Sequence, residues 1–593
     1  MEGVLVDKLS NRYMQAIWKI QELSQSDKKV VKELSESLNI SEVSASILVR
    51  RGLKTPEAAR EFISPKLGNL LDPFLMKDMD KAVERLHRAI ESKEKILIYG
   101  DYDVDGTTAV ALVYRFLHKR YTNIDFYIPD RYTEGYGVSF QGVDYAAEKG
   151  CTLIIALDCG IRNNKQVDYA MEKGIDFIVC DHHLPGAEIP KAVAVLDPQQ
   201  VDCPFPCKGL SGCGVGFCFM QAYSQKMGIG TENLMPLLEL TAMSIASDVV
   251  PIVEENRILA YHGLRMINSN PSVGVASLLQ KADLKVGKAM ISDLVYRVGP
   301  RLNACGRVKS GRDAVELLIA EDAEQANRIS DSINEYNSDR QELDRQISAE
   351  ALKMLEADTD NAKRSTNVVC GKGWHKGIVG IVASRLIESY FRPTIVLTEF
   401  DGVISGSARS VAGFDIHTAI SSCQDLLENF GGHQFAAGLS MKAENYPAFR
   451  ERFDTYVREH ILPEQKYPTI LVERELAIMD ITPQFYNLLQ HLEPFGPGNP
   501  NPVFVTQGVR NNKGTRAVGK SAEHLKLDVT DNGIDAISGI AFSKGKYANP
   551  LLTGERMDLC YTVDKNVFRD MVSLQLNVQD IHYSSDKDKI IYS

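Results

Sequence analysis

No apolar run in the 593-residue sequence approaches the ~20 residues that a membrane-spanning helix needs, so a helical membrane protein is excluded. The opening residues, MEGVLVDKLSNRYMQ, lack the apolar stretch of a secretory signal. With no such signal, the 11 cysteines read as free thiols of a reducing, cytoplasmic compartment. Cys203, Cys207, Cys213 and Cys218 lack the paired C-x-x-C spacing of zinc knuckles, and the free-thiol reading extends to them. Net positive charge is missing too: 67 basic residues face 78 acidic ones, giving −11. That argues against polyanion binding through the overall field, but local patches and metal-neutralised acidic clusters escape the argument. One such patch, YRVGPRLNACGRVKSGR from Tyr296 to Arg312, carries Arg297, Arg301, Arg307, Lys309 and Arg312 and no acid. The remainder, 44% hydrophobic and 24% charged, is ordinary for a globular chain. Its length calls for roughly three to five domains.

The stretch that organises the chain is KILIYGDYDVDGTTAVALVYRFL, Lys95 to Leu117. Ile96–Tyr99 predicts a buried strand and Thr107–Leu117 a helix. Between them Asp101, Asp103 and Asp105 alternate along an extended segment that ends at Gly106. Carboxylates this close repel one another unless a cation sits among them, and oxygen-rich clusters suit magnesium, manganese or calcium. A calcium-binding EF-hand is excluded, because the twelfth position from Asp101 is Leu112 and no glutamate closes the loop.

Later strands also end in polar residues. Thr152–Leu157 runs into Asp158 and Gly160, Phe177–Cys180 into Asp181-His182-His183, and Ala192–Leu196 into Asp197. Near-continuous apolar strands separated by helical stretches predict a parallel sheet covered on both faces, with its site at the carboxyl ends of the strands. Leu234–Pro251 predicts a buried helix running into Asp248. An acid is misplaced at a helix C-terminus, which favours a cation partner.

Residues 1–75 read as a helical lead-in that packs on the main domain. Glu321–Asp358 contains no Gly or Pro, and Ile329, Ile333, Tyr336, Leu343 and Ile347 mark one face of a long helix joining two domains. Residues 365 to about 455 form a second, glycine-rich α/β unit with SGSARS (405–410) and GGHQFAAGL (431–439). From about 460 the pattern changes to five short strands, NPVFVTQGVR, HLKLDVTDNG, AISGIAFS, LCYTVDKNV and LQLNVQDI, which fit an OB-like barrel. GTRAVGKS (514–521) matches the P-loop pattern, but HLKLDV after it alternates as a strand, where a P-loop needs a helix. A hairpin turn is the better reading, and saturable nucleotide binding lost in Lys520→Ala would reverse it.

DYDVDG, the strand-terminal Asp158, the DHH triplet at 181–183 and SDVVP around Asp248 resemble the ordered motifs of the DHH phosphoesterase superfamily. GGHQFAAGL resembles the glycine-rich motif of its associated domain. GPRLNACGR (299–307) and LEPFGPGNPNPVF (492–504) narrow the resemblance to a bacterial branch of single-strand-specific 5′→3′ DNA exonucleases, over roughly residues 50–575. The resemblance implies an α/β protein. Residues 76–320 would form a DHH domain, 321–360 a connecting helix, 361–458 a DHH-associated domain and 459–593 an OB-like nucleic-acid-binding domain, with DNA passing between the first and third. It implies two divalent cations, Mn²⁺ or Mg²⁺, held by Asp101, Asp103, Asp105, Asp158, His182 and Asp248. His183 would sit beside the metals and the scissile phosphate, with Asp181 orienting the histidines. Arg301, Arg307, Ser407, Arg409 and His433 would hold DNA phosphates, and Arg131 would read the 5′ end. Single-stranded DNA, a helicase and a single-strand-binding protein are the partners it suggests, and DNA repair and recombination the setting. Two alternatives stay open: a phosphodiesterase of short oligonucleotides or cyclic dinucleotides, and a non-catalytic scaffold.

Overall fold

The computed structural model describes residues 15–569, 571–586 and 589–592. The chain forms two compact units, one of Arg60–Arg340 with Leu492–Pro500, the other of Met1–Ala59, Gln341–His491 and Asn501–Ser593. Among the described residues, no helix is long and apolar enough to cross a membrane.

The first unit is built on a wholly parallel sheet of β1 (Lys95–Gly100), β2 (Ile124–Tyr127), β3 (Cys151–Leu157), β4 (Asp176–Cys180) and β5 (Ala194–Leu196), in spatial order β2-β1-β3-β4-β5. Successive residues of β1 point to opposite faces. Ile96 and Ile98 enter one core, with helix α1 (Val104–His118) and helix α2 (Gly212–Met227), and Leu97 and Tyr99 enter another. Both faces are therefore covered, as the apolar strands predict. The edge strand β2 went unread in the sequence because IDFY is only half buried and gives no continuous apolar run. The Leu234–Pro251 stretch resolves into α3 (Leu238–Ser247), and α4 (Glu254–Ser269) follows it.

Helix α5 (Ala323–Ala357) realises the long helix. Its Ile329, Ile333 and Tyr336 join the core beneath α1, whereas Leu343, Ile347, Ala351 and Leu355 pack with helix α6 (Val379–Ser389). In that second unit a five-stranded sheet runs in the order Asn429–His433, Ala436–Lys442, Val403–Arg409, Thr394–Phe400, Asn367–Lys372. The strands expected of an OB domain appear as Phe504–Asn511, His524–Thr530, Ile537–Ala541, Met557–Phe568 and Met571–Tyr583. They lie in a seven-stranded sheet, and pairing of Arg510 with Thr530 and Asn511 with Val529 joins these five into a hydrogen-bonded ring. GTRAVGKS lies on the hairpin of Arg516–Val518 with His524–Thr530, so no phosphate-binding helix follows it.

The lead-in departs from expectation. Residues up to Ala59 belong to the second unit, not to the DHH-like one. The strand Ile17–Ile20 lies between Thr469–Val472 and Ile590–Tyr592 and runs parallel to both. Four residues are too few for periodicity to reveal a strand, and long-range packing decides it. Trp18 is fully buried, stacks on His582 at 3.9 Å and donates its Nε1–H to Asp580 Oδ2 at 3.2 Å. Burial pushes the Asp580 carboxyl up, but His582 and the Lys544 ammonium, 2.6 Å away, hold it down at about 2. A depressed acid stabilises the fold above its unfolded value near 3.8, and that support fades as pH falls through about 2. Asp580→Asn should thus cost about 2 kcal/mol at pH 7, and less on acidification towards pH 2. Urea unfolding followed by tryptophan fluorescence measures it, because Trp18 and Trp374 both lie in this unit.

Candidate metal centre

Six aspartates and two histidines meet at the carboxyl ends of β1, β3 and β4 and the end of α3. Asp101 is the first residue after β1 and is fully buried. A Cβ on Gly106 would lie 2.4 Å from the Asp101 carbonyl oxygen, so glycine is what lets the chain turn this tightly. The expected extended segment through Gly106 is corrected here. Helix α1 begins at Val104, because Asp103 Oδ1 accepts from Gly106 N at 3.1 Å and caps it. Asp105 therefore sits in the first helical turn. Its Oδ2 accepts from Gly212 N at 2.7 Å, and its Oδ1 from Cys213 N at 2.8 Å and Ser244 Oγ at 2.7 Å. The N-terminus of α2, where backbone N–H groups lack helical partners, thus anchors the carboxylate.

Asp158 follows β3 with φ 59°, a left-handed conformation that turns its side chain towards Asp105. A Cβ on Gly212 would come within 2.6 Å of Asp158 Cβ, so α2 approaches only because that residue is glycine. Asp181, after β4, accepts from His183 Nδ1 and His182 N at 2.7 Å each, and from Ile161 N at 3.0 Å. Asp248 closes α3.

His182 Nε2 is the point of convergence. It lies 3.2 Å from Asp158 Oδ1, 3.6 Å from Asp248 Oδ2 and 3.7 Å from Asp105 Oδ2. Among the described residues, the groups able to hold a metal ion are Asp158, His182 and His183, and Asp105, His182 and Asp248. Asp101 Oδ2, Asp158 Oδ1 and His182 Nε2 are buried with no hydrogen-bond partner. Such orphaned atoms are costly unless something positive occupies the space between them. Burial and the neighbouring acids push Asp101, Asp103 and Asp158 above the usual carboxylate range, and raise Asp248 to about 8. Burial alone would lower His183, but its hydrogen bond to Asp181 and the nearby acids raise it to about 9. Carboxylate oxygens with imidazole nitrogen form a donor set suited to Mn²⁺ or Mg²⁺, so the residues fit a divalent cation.

The remaining sequence candidates divide between the units. The Arg131 guanidinium lies 5.0 Å from the ring centroid of Tyr102, the residue between Asp101 and Asp103. Arg301 directs its donors to Asn334 Oδ1, the Arg297 carbonyl and the Lys281 carbonyl. The carbonyl of Arg307 accepts from Tyr132. Ser407, Arg409 and His433 lie in the second unit, where Ala436 pairs with both Arg409 and His433 and Gly438 with Ser407. A Cβ on Gly380, in the first turn of α6, would lie 2.9 Å from Arg409 Nη2 and 3.3 Å from Ser407 Oγ. Cys203, Cys207, Cys213 and Cys218 are buried free thiols.

Tyr136 was missed. Its hydroxyl lies 3.0 Å from His183 Nε2 and donates to the Asp158 carbonyl at 3.3 Å. A half-exposed loop aromatic leaves no periodic trace in the sequence. Asp197 is fully buried and raised to about 7, chiefly by burial.

Three family profiles match the chain: "DHH family, N-terminal domain" over residues 95–245, "DHHA1 domain" over 364–459 and "RecJ OB domain" over 472–580. The chain is 36% identical over 564 residues to "Single-stranded-DNA-specific exonuclease RecJ" of Bacillus subtilis (strain 168), spanning 94% of this chain and 70% of that protein. To the RecJ of Escherichia coli (strain K12) it is 34% identical over 526 residues, 85% of this chain and 90% of that protein. The crystal structure of RecJ from Thermus thermophilus in complex with Mn²⁺ superposes with a TM-score of 0.81 at 26% identity, covering 96% of this chain and 80% of that one. A shared fold, all three domain profiles and this identity along nearly the whole sequence place the chain in the RecJ family of the DHH superfamily.

Proposed function

We propose that the protein is a metal-dependent exonuclease that degrades single-stranded DNA from the 5′ end, working in the cytoplasm in DNA repair and recombination. The observation that carries this reading is the convergence of Asp105, Asp158 and Asp248 on His182 Nε2, with buried donor atoms left unpartnered. Asp101, Asp103, Asp105, Asp158, His182 and Asp248 would hold two divalent cations. Such a pair, when bound, neutralises charge on the attacking and leaving oxygens of an in-line phosphodiester displacement.

The chain's own groups do the rest. Asp181 fixes the orientation of the His183 ring through Nδ1, beside the metal ligands and the scissile phosphate. Tyr136 steadies the opposite ring nitrogen. Ser407 and Arg409, two residues apart on one strand face beside the start of α6, supply a hydroxyl, a guanidinium and helix N–H groups to a phosphate, and His433 adds to them. Arg131 recognises the 5′ end, and Arg301 and Arg307 lie along the path of the strand. We assign residues 76–320 to catalysis, 321–360 to the connection, 361–458 to phosphate holding and 459–593, apart from 492–500, to strand binding. A helicase and a single-strand-binding protein are the partners this reading implies. The OB domain favours a long strand over a dinucleotide as substrate.

Digestion of 5′- and 3′-labelled single and double strands tests the reading. The 5′ label should leave single strands first, with Mn²⁺ or Mg²⁺ and not with chelator. Release from the 3′ end, or equal rates on dinucleotides, would refute it. Arg409→Ala should raise KM for 5′-phosphorylated strands about tenfold or more, since a charge-assisted hydrogen bond contributes about 1.5–3 kcal/mol.

A further inference from the structure

LEPFGPGNP, residues 492–500, is not used by any step above. It nevertheless folds with the Arg60–Arg340 unit, while the residues on both sides of it in sequence belong to the other. The segment is a closed hairpin. Gly496 N donates to the Asn499 carbonyl at 2.9 Å, and Asn499 N to the Gly496 carbonyl at 3.0 Å. Buried Asn499 then ties the base, its Nδ2 donating to the carbonyls of Leu492 at 2.8 Å and Pro494 at 2.9 Å.

This hairpin packs against the turn that leads out of Asp248. Ile252 N donates to the Pro497 carbonyl at 2.7 Å. A Cβ on Gly496 would lie 2.5 Å from Ile252 Cδ1. At Gly498, where φ is 73°, it would lie 3.2 Å from Val253 Cγ1 and 3.3 Å from Pro251 Cβ. Two glycines therefore bring the hairpin backbone close against the turn, and at Gly498 the positive φ itself calls for glycine. Arg257 of α4, 2% exposed, donates to the carbonyls of Leu492 at 3.0 Å, Glu493 at 3.1 Å and Phe62 at 2.8 Å, clamping the hairpin from its base.

The turn is held at both ends, Asp248 N by the Ser244 carbonyl at 2.9 Å and Ile252 N by Pro497. Between them Val249 adopts φ 61° and is 61% exposed. A β-branched residue takes that conformation only where its surroundings over-determine it, and no burial of its own side chain explains it. The constraint comes from the anchored ends.

We propose that residues 492–500 are a positioning element for Asp248. The hairpin fixes Ile252, the intervening turn is too short and too strained to absorb a shift, and the carboxylate is thereby aimed at His182. This inference rests on Asp248 being a metal ligand. Gly498→Ala and Asn499→Ala in the full chain test it, beside Asp248→Asn. Mn²⁺ affinity is read by electron paramagnetic resonance, single-strand binding in chelator by fluorescence anisotropy, and folding by thermal unfolding. Both hairpin variants should bind Mn²⁺ about tenfold or more weakly, the scale of an outer-sphere partner, and regain turnover at saturating Mn²⁺. Their single-strand binding in chelator should stay close to native, and both should remain folded at the assay temperature although with a lowered Tm. If Asp248→Asn weakens Mn²⁺ binding and the folded hairpin variants do not, the positioning role is refuted. Native Mn²⁺ affinity in Asp248→Asn would instead refute its assignment as a ligand. Should Gly498→Ala fail to fold, Asn499→Ala decides, and collapse of both reduces the hairpin to general core packing and overturns the proposal.

Discussion

Asp158→Ala is expected to lower turnover on single strands by more than about a thousandfold while leaving strand binding in chelator within about twofold. Outer partners of a metal site are worth about 10–100-fold, and a side chain at the centre of the cluster should exceed them. Binding is spared because Arg409, Ser407, His433 and the OB strands belong to a different unit from Asp158. A second signature separates loss of a ligand from loss of fold. Asp158 is buried beside Asp105, Asp103, Asp248 and Asp101, all of which press its carboxyl towards the protonated form. Removing it relieves that repulsion, so the metal-free variant should melt at a higher temperature than the metal-free native chain. Near-native turnover, or a lower Tm in chelator, would contradict the assignment.

Chelation should abolish turnover outright, and its effect on stability should grow with pH. Asp248 is raised to about 8, and Asp101, Asp103 and Asp158 are raised as well. Between about pH 4 and 8 the metal-free native state accordingly holds more protons than the unfolded chain. Linkage then requires its stability to fall as pH rises through that window. A cation competes with those protons, so its affinity rises over the same range. At a hundred times its Kd a bound ion adds about 2.7 kcal/mol. The Tm gap between Mn²⁺-loaded and chelated protein should therefore be small near pH 5.5 and widest near pH 8. Scanning calorimetry across that range measures it. A gap that narrows with pH would mean the carboxylates are not the ligands.

The sheet was legible because β1, β3 and β4 are buried on both faces and read as unbroken apolar runs, each delivering its acid at the carboxyl end. The five ring-forming strands after residue 500 alternate regularly and were also read. The half-buried β2 and the four-residue Ile17–Ile20 strand were not, since tertiary pairing rather than pattern makes them strands. Asp101, Asp158, His182 and Asp248 could be picked out as candidates because acids and histidines at the ends of apolar elements conflict with burial unless they serve something. The start of α1 was displaced because a side-chain cap, Asp103 to Gly106 N, converts what looks extended into a first turn. Tyr136, Ser244 and the backbone of Gly212 were invisible for a different reason. They act through hydrogen bonds made only after distant segments meet, Ser244 reaching Asp105 across 139 positions.

The parallel pairing of Ile17–Ile20 sets a timetable. Its neighbours, Thr469–Val472 and Ile590–Tyr592, are synthesised roughly 450 and 570 residues later. At about 5–20 residues per second, Trp18 waits roughly half a minute to two minutes for both. The Arg60–Arg340 core can assemble meanwhile, but the Ile17–Ile20 strand spends synthesis as an apolar segment with two unpaired edges. A nascent-chain binder has its longest opportunity there.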